Sequence, residues 1–149
     1  MDGGRDFAAS RRLASLTEKF HDKQYRDSYV ASHTHGVLAQ QMRNFRGDLS
    51  QADYAEKTGK QKTVIGRLES PAYAGWSLRT MLEIARKENV AVIVRFVDFP
   101  TFLKFTDDMS DRALKPPSYD PDAALVGQKE STTKSQAATD SLEKEETSG

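Results

Sequence analysis

Residues 49–69 read LSQADYAEKTGKQKTVIGRLE, and this stretch predicts two short helices joined by a tight turn at Gly59. Ser50 is suited to cap the first helix, and residues 51–57 tolerate helical geometry, with Ala52 and Ala55 small enough for a neighbouring backbone to come close. Thr58-Gly59 stops it, because glycine takes the left-handed conformation that ends a helix at low steric cost. Lys60 and Gln61 form a polar turn. Helical spacing then resumes with Val64, Ile65 and Leu68; turning Ile65 and Leu68 inward leaves Lys62, Thr63, Gly66 and Arg67 on the other faces. This is a helix-turn-helix whose second helix presents a polar, basic, small-residue surface, and such a helix can enter the DNA major groove.

Working upstream, Val37, Leu38, Gln41-Met42 and Phe45 mark a helix that ends at Arg46-Gly47 and packs on a core. Before it, Ser32-His33-Thr34-His35-Gly36 collects cap residues and a glycine, which predicts a joint. Residues 10–35 carry Leu13, Leu16, Phe20, Tyr25 and Tyr29-Val30 in a helical pattern, so an N-terminal helical extension of one or two helices is expected, with a break near residues 20–23. Residues 1–9 read as a flexible start.

Downstream, Ser70-Pro71-Ala72-Tyr73-Ala74-Gly75 predicts a loop bracketed by proline and glycine. Ser77 caps a further core helix with Leu78, Met81-Leu82 and Ile84-Ala85, ending at Glu88-Asn89, so that residues 36–89 form the helix-turn-helix domain. The period then changes. VAVIVRFV at residues 90–97 is β-branched and aromatic, which predicts a strand with Val92, Val94 and Phe96 on one face and Ala91, Ile93, Arg95 and Val97 on the other. No other segment reads as a strand, so the simplest partner is a second copy of itself across a twofold axis. Phe99, Phe102, Leu103 and Phe105 extend the apolar signal as a short helix starting near Pro100 and covering the strand pair. Residues 90–106 are thus the expected dimerisation element, with Val92, Val94, Phe96, Phe99 and Phe102 at its centre. Residues 107–149 are expected to be an acidic tail, disordered because its composition offers too little apolar surface to offset the entropy of ordering.

The chain has 149 residues, 37% of them hydrophobic, and a formal net charge of zero. That neutrality is a sum over two regions. Residues 116–149 hold 3 Lys and 7 Asp/Glu, net −4, whereas residues 1–115 hold 19 basic and 15 acidic side chains, net +4. A modest positive balance on a small domain suits phosphate contacts. The absence of cysteine excludes a disulfide framework and thiolate catalysis and fits a reducing interior. No apolar run has membrane-spanning length, and the opening residues lack the apolar block of a secretory leader, so a cytoplasmic protein is expected. No glycine-rich phosphate loop, nucleophile elbow or paired-carboxylate arrangement occurs; an enzyme is not expected, and no cofactor. His33 and His35, with His21 nearby, are spaced by two without a cysteine or fixed carboxylate, and no metal site is expected.

Residues 37–90 resemble the phage-repressor-like helix-turn-helix family, the Xre or lambda repressor and Cro type. The resemblance rests on LAQQMRNFRG, the LSQ at residues 49–51, AEKTG at 55–59, VIGRLE at 64–69 and SLRTMLEIARKENV at 77–90. It implies a mainly α, five-helix DNA-binding domain that works as a homodimer on an inverted-repeat operator. Carried over by position, Gln51 resembles the glutamine that holds a phosphate and braces the recognition helix. Lys62 and Thr63 fall at the first base-reading positions, Arg67 at another exposed one, and Lys60 and Gln61 in the turn where phosphate is commonly touched. The chain departs from the family at Lys62, where glutamine is frequent, and at Gly66, where serine is frequent; the departures bear on the target sequence.

The residue types make chemical sense independently, since lysine or arginine can donate to guanine O6 and N7 and a threonine methyl can meet the thymine methyl. Gly66 either permits close approach to DNA or serves tight packing against a neighbouring helix. Arg43 and Arg46 either clamp phosphate or pair with Asp48 or Glu69. Tyr73 and Trp76 either stack on nucleotides or seal a core edge. The expected function is a sequence-specific double-stranded DNA-binding transcriptional regulator, a dimeric repressor. The alternative is an antitoxin that binds a protein partner through the N-terminal helices or the tail and autoregulates its operon.

Overall fold

Five short polar side chains each stand one residue before a helix and accept a backbone N–H three positions on. Asp22 accepts from Tyr25, Ser50 from Asp53, Ser77 from Thr80, Asp98 from Thr101 and Ser110 from Ala113. Each such cap is worth about 1 kcal/mol. The computed structural model describes residues 3–123, with side chains from residue 10. The chain divides into two compact units, residues 1–117 and 118–149. The first contains α1 (Gly3–Lys19), α2 (Lys23–Arg46), α3 (Gln51–Thr58), α4 (Lys62–Leu68), α5 (Leu78–Glu88), α6 (Phe99–Thr106) and α7 (Asp111–Leu114). The protein is mainly α, and among the described residues no strand forms.

The turn between α3 and α4 follows the sequence reading. Gly59 adopts φ 69°, and its N–H reaches the carbonyls of Ala55 and Glu56. Asn89 ends α5 in the same left-handed region, at φ 55°. The core lies inside this part of the chain. Met42 of α2, Tyr54 and Ala55 of α3, Ile65 and Leu68 of α4 and Ile84 of α5 bury against one another, with Phe45, Val64, Tyr73 and Trp76 around them. Tyr54 is wholly inaccessible and donates its hydroxyl to Glu88 at 2.9 Å. Burial first, and then that carboxylate, push its phenol above the ordinary tyrosine range. Lys57 reaches the same carboxylate at 3.0 Å.

Four features differ from the expectation. Residues 3–9, read as a flexible start, are helical and belong to α1. The break near residues 20–23 occurs as expected, but the joint at residues 32–36 does not, because α2 runs unbroken for 24 residues. Its continuity has a side-chain cause: Tyr25, Tyr29 and His33, at four-residue intervals, stack along one face at 6.3 and 5.7 Å between ring centroids. Residues 36–89 therefore hold the end of α2 and three further helices; the fifth implied by the resemblance does not fall in that span.

The third difference concerns residues 90–98, which carry no regular structure within the single chain. A strand exists only as part of a ladder, and no described segment of the first unit offers one. The short helix after it is present as α6, but α6 turns Phe99 and Phe102 onto α2 and the break before it, while Phe105 stays exposed beneath Arg95. Phe99 meets Phe20 edge-on at 5.9 Å and lies under the Arg26 guanidinium at 5.3 Å, while Phe102 meets His33 at 5.8 Å. Fourth, the expected tail does not begin at residue 107, because α7 packs on α2 and buries Leu114. The part of the tail from residue 124 onward lies outside the described residues.

Candidate nucleic-acid interface

The site is built by seven residues of helix held in place from behind. Ile65 and Leu68 of α4 point into the core and are buried, which leaves Lys62, Thr63 and Arg67 exposed on the outer side. No hydrogen bond or ion pair among the described residues engages these three side chains, and Gln61 before them is also exposed. A lysine, a threonine and an arginine within two turns, unengaged and outward, can donate and accept at base edges.

The bracing centres on Glu69, the residue that ends α4. Its carboxylate is buried and accepts from Arg46 Nε at 2.5 Å, Arg46 Nη2 at 3.3 Å and Gln51 Nε2 at 2.9 Å. Its backbone carbonyl, one of the groups a helix end leaves unpaired, accepts from Arg43 Nη2 at 2.7 Å and Nε at 3.1 Å. One residue thus joins α2, α3 and α4, and a buried carboxylate with two partners of this kind fixes the position of the helix that ends on it. Arg46 pairs with the Glu69 carboxylate and not with Asp48, while Arg43 bonds the Glu69 carbonyl. Glu69 was visible only as one of two acids within reach, because residues 43–46 and 69 are remote in the chain.

Gly66 faces Gln51. A Cβ built at Gly66 would lie 3.6 Å from Gln51 Oε1, an ordinary contact distance, so packing against α3 does not require glycine there. Lys60, expected in the turn to hold phosphate, is tied to Glu83 of α5 at 2.7 Å. The hydrogen bond from Lys60 holds the Glu83 carboxyl below its ordinary value of 4.5. Tyr73 and Trp76 seal the core edge. The Tyr73 ring lies so close over Gly75 that a Cβ there would meet its hydroxyl at 2.5 Å.

Of the residues expected to pair two copies, Phe99 and Phe102 are engaged by Phe20, Arg26 and His33 of the same chain, and Val92 is half-buried. Val94 and Phe96 are left exposed, the phenyl ring of Phe96 fully so. Among the described residues no group of three His, Cys, Asp or Glu side chains is placed to hold a metal ion, and no helix is long and apolar enough to cross a membrane. No protein-family model, curated protein or solved structure matches the chain.

Proposed function

We propose that this protein is a dimeric regulator that binds double-stranded DNA sequence-specifically, with α4 as its recognition helix and repression of transcription as its role. The observation that carries the reading is the contrast across α4: a core-facing side locked through Glu69, and an outer side where Lys62, Thr63 and Arg67 have no partner among the described residues. Lys62 and Arg67 donate to guanines, Thr63 meets a thymine methyl or accepts from a base, and Gln51 and Gln61 contact phosphate at the helix entrance. Arg43 contributes through the carbonyl of Glu69 and so orients α4.

Dimerisation uses residues 90–97 as an antiparallel strand pair. For two identical antiparallel strands the twofold axis stands perpendicular to the ribbon, so Val92, Val94 and Phe96 of both copies share one face. An axis through Arg95 would set like charges directly opposite, which is unfavourable, and the axis therefore passes through a neighbouring apolar position such as Val94. The antitoxin alternative draws on α1, a helix outside the motif whose Leu13 is half-exposed; a stable protein partner recovered with the full chain, and absent with Leu13→Asp, would favour it.

Replacing Arg67 or Lys62 by alanine is expected to lower discrimination between a selected operator and random DNA by about 1 to 3 kcal/mol for each bidentate base interaction removed. Fluorescence anisotropy on both duplexes measures this. Equal weakening on the two would contradict base reading by α4.

A further inference from the structure

α1 is anchored at one end. Phe20, the first residue beyond it, is buried against Tyr29 and Phe99 at 5.2 and 5.9 Å between ring centroids, whereas among the described residues no other helix packs along α1 itself. Within proteins most helical stability comes from packing of an apolar face, and α1 has such a face with no neighbour along it. Leu13, Leu16 and Phe20 follow at intervals of three and four residues, which places them in one stripe. Leu13 is 50% exposed and Leu16 half-buried, so the stripe opens to solvent as it leaves Phe20.

The two borders of the stripe differ in charge. At about 3.6 residues per turn, Arg12 and Lys19 fall on the Leu16 side, and both are exposed. The Lys19 ammonium stands over the Tyr25 ring at 5.9 Å. On the Leu13 side, Ser10 and Thr17 are neutral, and the Thr17 hydroxyl donates to the Leu13 carbonyl at 2.8 Å. Glu18 falls on the side of α1 away from the stripe. Where two helices meet along a seam of this spacing, the residues bordering it select the partner. A second copy of α1 gains no ion pair there: antiparallel pairing sets basic border against basic border, and parallel pairing sets it against Ser10 and Thr17. A helix with carboxylates on both borders gains ion pairs in either orientation.

We propose that α1 binds an amphipathic helix of another protein, one whose apolar stripe is bordered by Asp or Glu. Leu13 and Leu16 pack on that stripe, and Arg12 and Lys19 face its carboxylates. The inference concerns α1 alone and stands independently of DNA reading by α4; it gives the chemistry of the partner that the antitoxin alternative requires.

The test titrates the full chain into fluorescent synthetic peptides of three heptads: one with leucine along the seam and glutamate at the borders, one with lysine at the borders instead, and a scramble of the glutamate peptide. Anisotropy should rise saturably with the glutamate peptide and with neither of the others. Leu13→Asp should abolish that binding while the helical circular dichroism persists. Arg12→Glu with Lys19→Glu turns attractive pairs into repulsive ones; it should weaken the glutamate peptide about tenfold and let the lysine peptide bind. Equal binding of the scramble, or binding that survives Leu13→Asp, would reduce the effect to bulk charge and overturn the proposal. So would a charge-reversed variant that binds the glutamate peptide as before and random duplex more weakly, which would assign Arg12 and Lys19 to phosphate. Failure of the glutamate peptide to bind, with self-association in sedimentation lost on Leu13→Asp, would give the stripe to a second copy instead.

Discussion

The core formed by α2 to α5 and the segment that follows it both carry large apolar side chains, and these meet opposite fates. Tyr54, Ile65 and Leu68 are sealed within the chain, whereas Ile93 is 84% exposed and Phe96 is entirely so. The difference is one of completeness. Four stretches of helix supply enough facing surface to close a small core on itself, while residues 90–98 have a strand composition and no ladder among the described residues. Exposed β-branched and aromatic residues in an unpaired segment are the feature on which the proposed dimerisation rests.

Paired substitutions test that contrast with the largest expected effect. Leu68→Ala should cost about 2 to 5 kcal/mol of folding stability in urea titrations. Phe96→Ser should leave the stability of dilute monomer nearly unchanged and instead weaken self-association in sedimentation experiments. Equal destabilisation by the two would mean that residues 90–98 belong to the core.

Next in size is the hub behind α4. Glu69→Ala leaves Arg46 without its carboxylate and Arg43 with a looser carbonyl, and a destabilisation of about 3 kcal/mol is expected. DNA affinity measured well below the melting temperature should fall as well, on operator more than on random duplex. An affinity unchanged in folded protein would separate Glu69 from the positioning of α4.

Gly66→Ala sharpens the comparison in the other direction. The site has room for a methyl group, so helix propensity should raise stability by about 0.5 to 1 kcal/mol. If glycine serves close approach to DNA, operator binding falls while stability rises; binding that rises or stays level would remove Gly66 from the interface.

The smallest effect concerns Lys60. Glu83 has a lowered folded pKa, so its pairing with Lys60 contributes above the carboxyl's ordinary value of 4.5 and disappears as pH falls through the lower folded value. Glu83→Gln releases Lys60 at neutral pH, and the salt dependence of DNA binding should then steepen by about one phosphate interaction. An unchanged slope would leave Lys60 as a structural residue that ties the α3–α4 turn to α5.

Much of the fold was legible because its signals are local. Ser50, Gly59 and Ser77 announce their roles through side-chain reach and left-handed backbone, and the structure uses each of them so. The side of α4 that faces outward was legible from the inward spacing of Ile65 and Leu68. What stayed hidden depends on neighbours remote in sequence. Gly36 and the polar run before it look like a joint, but the aromatic ladder from Tyr25 to His33, backed by Phe102 of α6, carries α2 straight through. Lys60 reads as a free turn lysine until α5 brings Glu83 to it. Leu114 reads as the start of a polar tail until α2 covers it.

The role given to α4 is tested most directly by selecting binding sites from a random duplex library with the full chain, alongside a variant carrying both Lys62→Ala and Arg67→Ala. The expected result is an enriched inverted repeat whose half-sites lie about one helical turn, roughly 10 base pairs, apart, with no such enrichment in the variant. Selection that yields no shared sequence, or the same sequence from both proteins, would contradict α4 as the element that reads DNA.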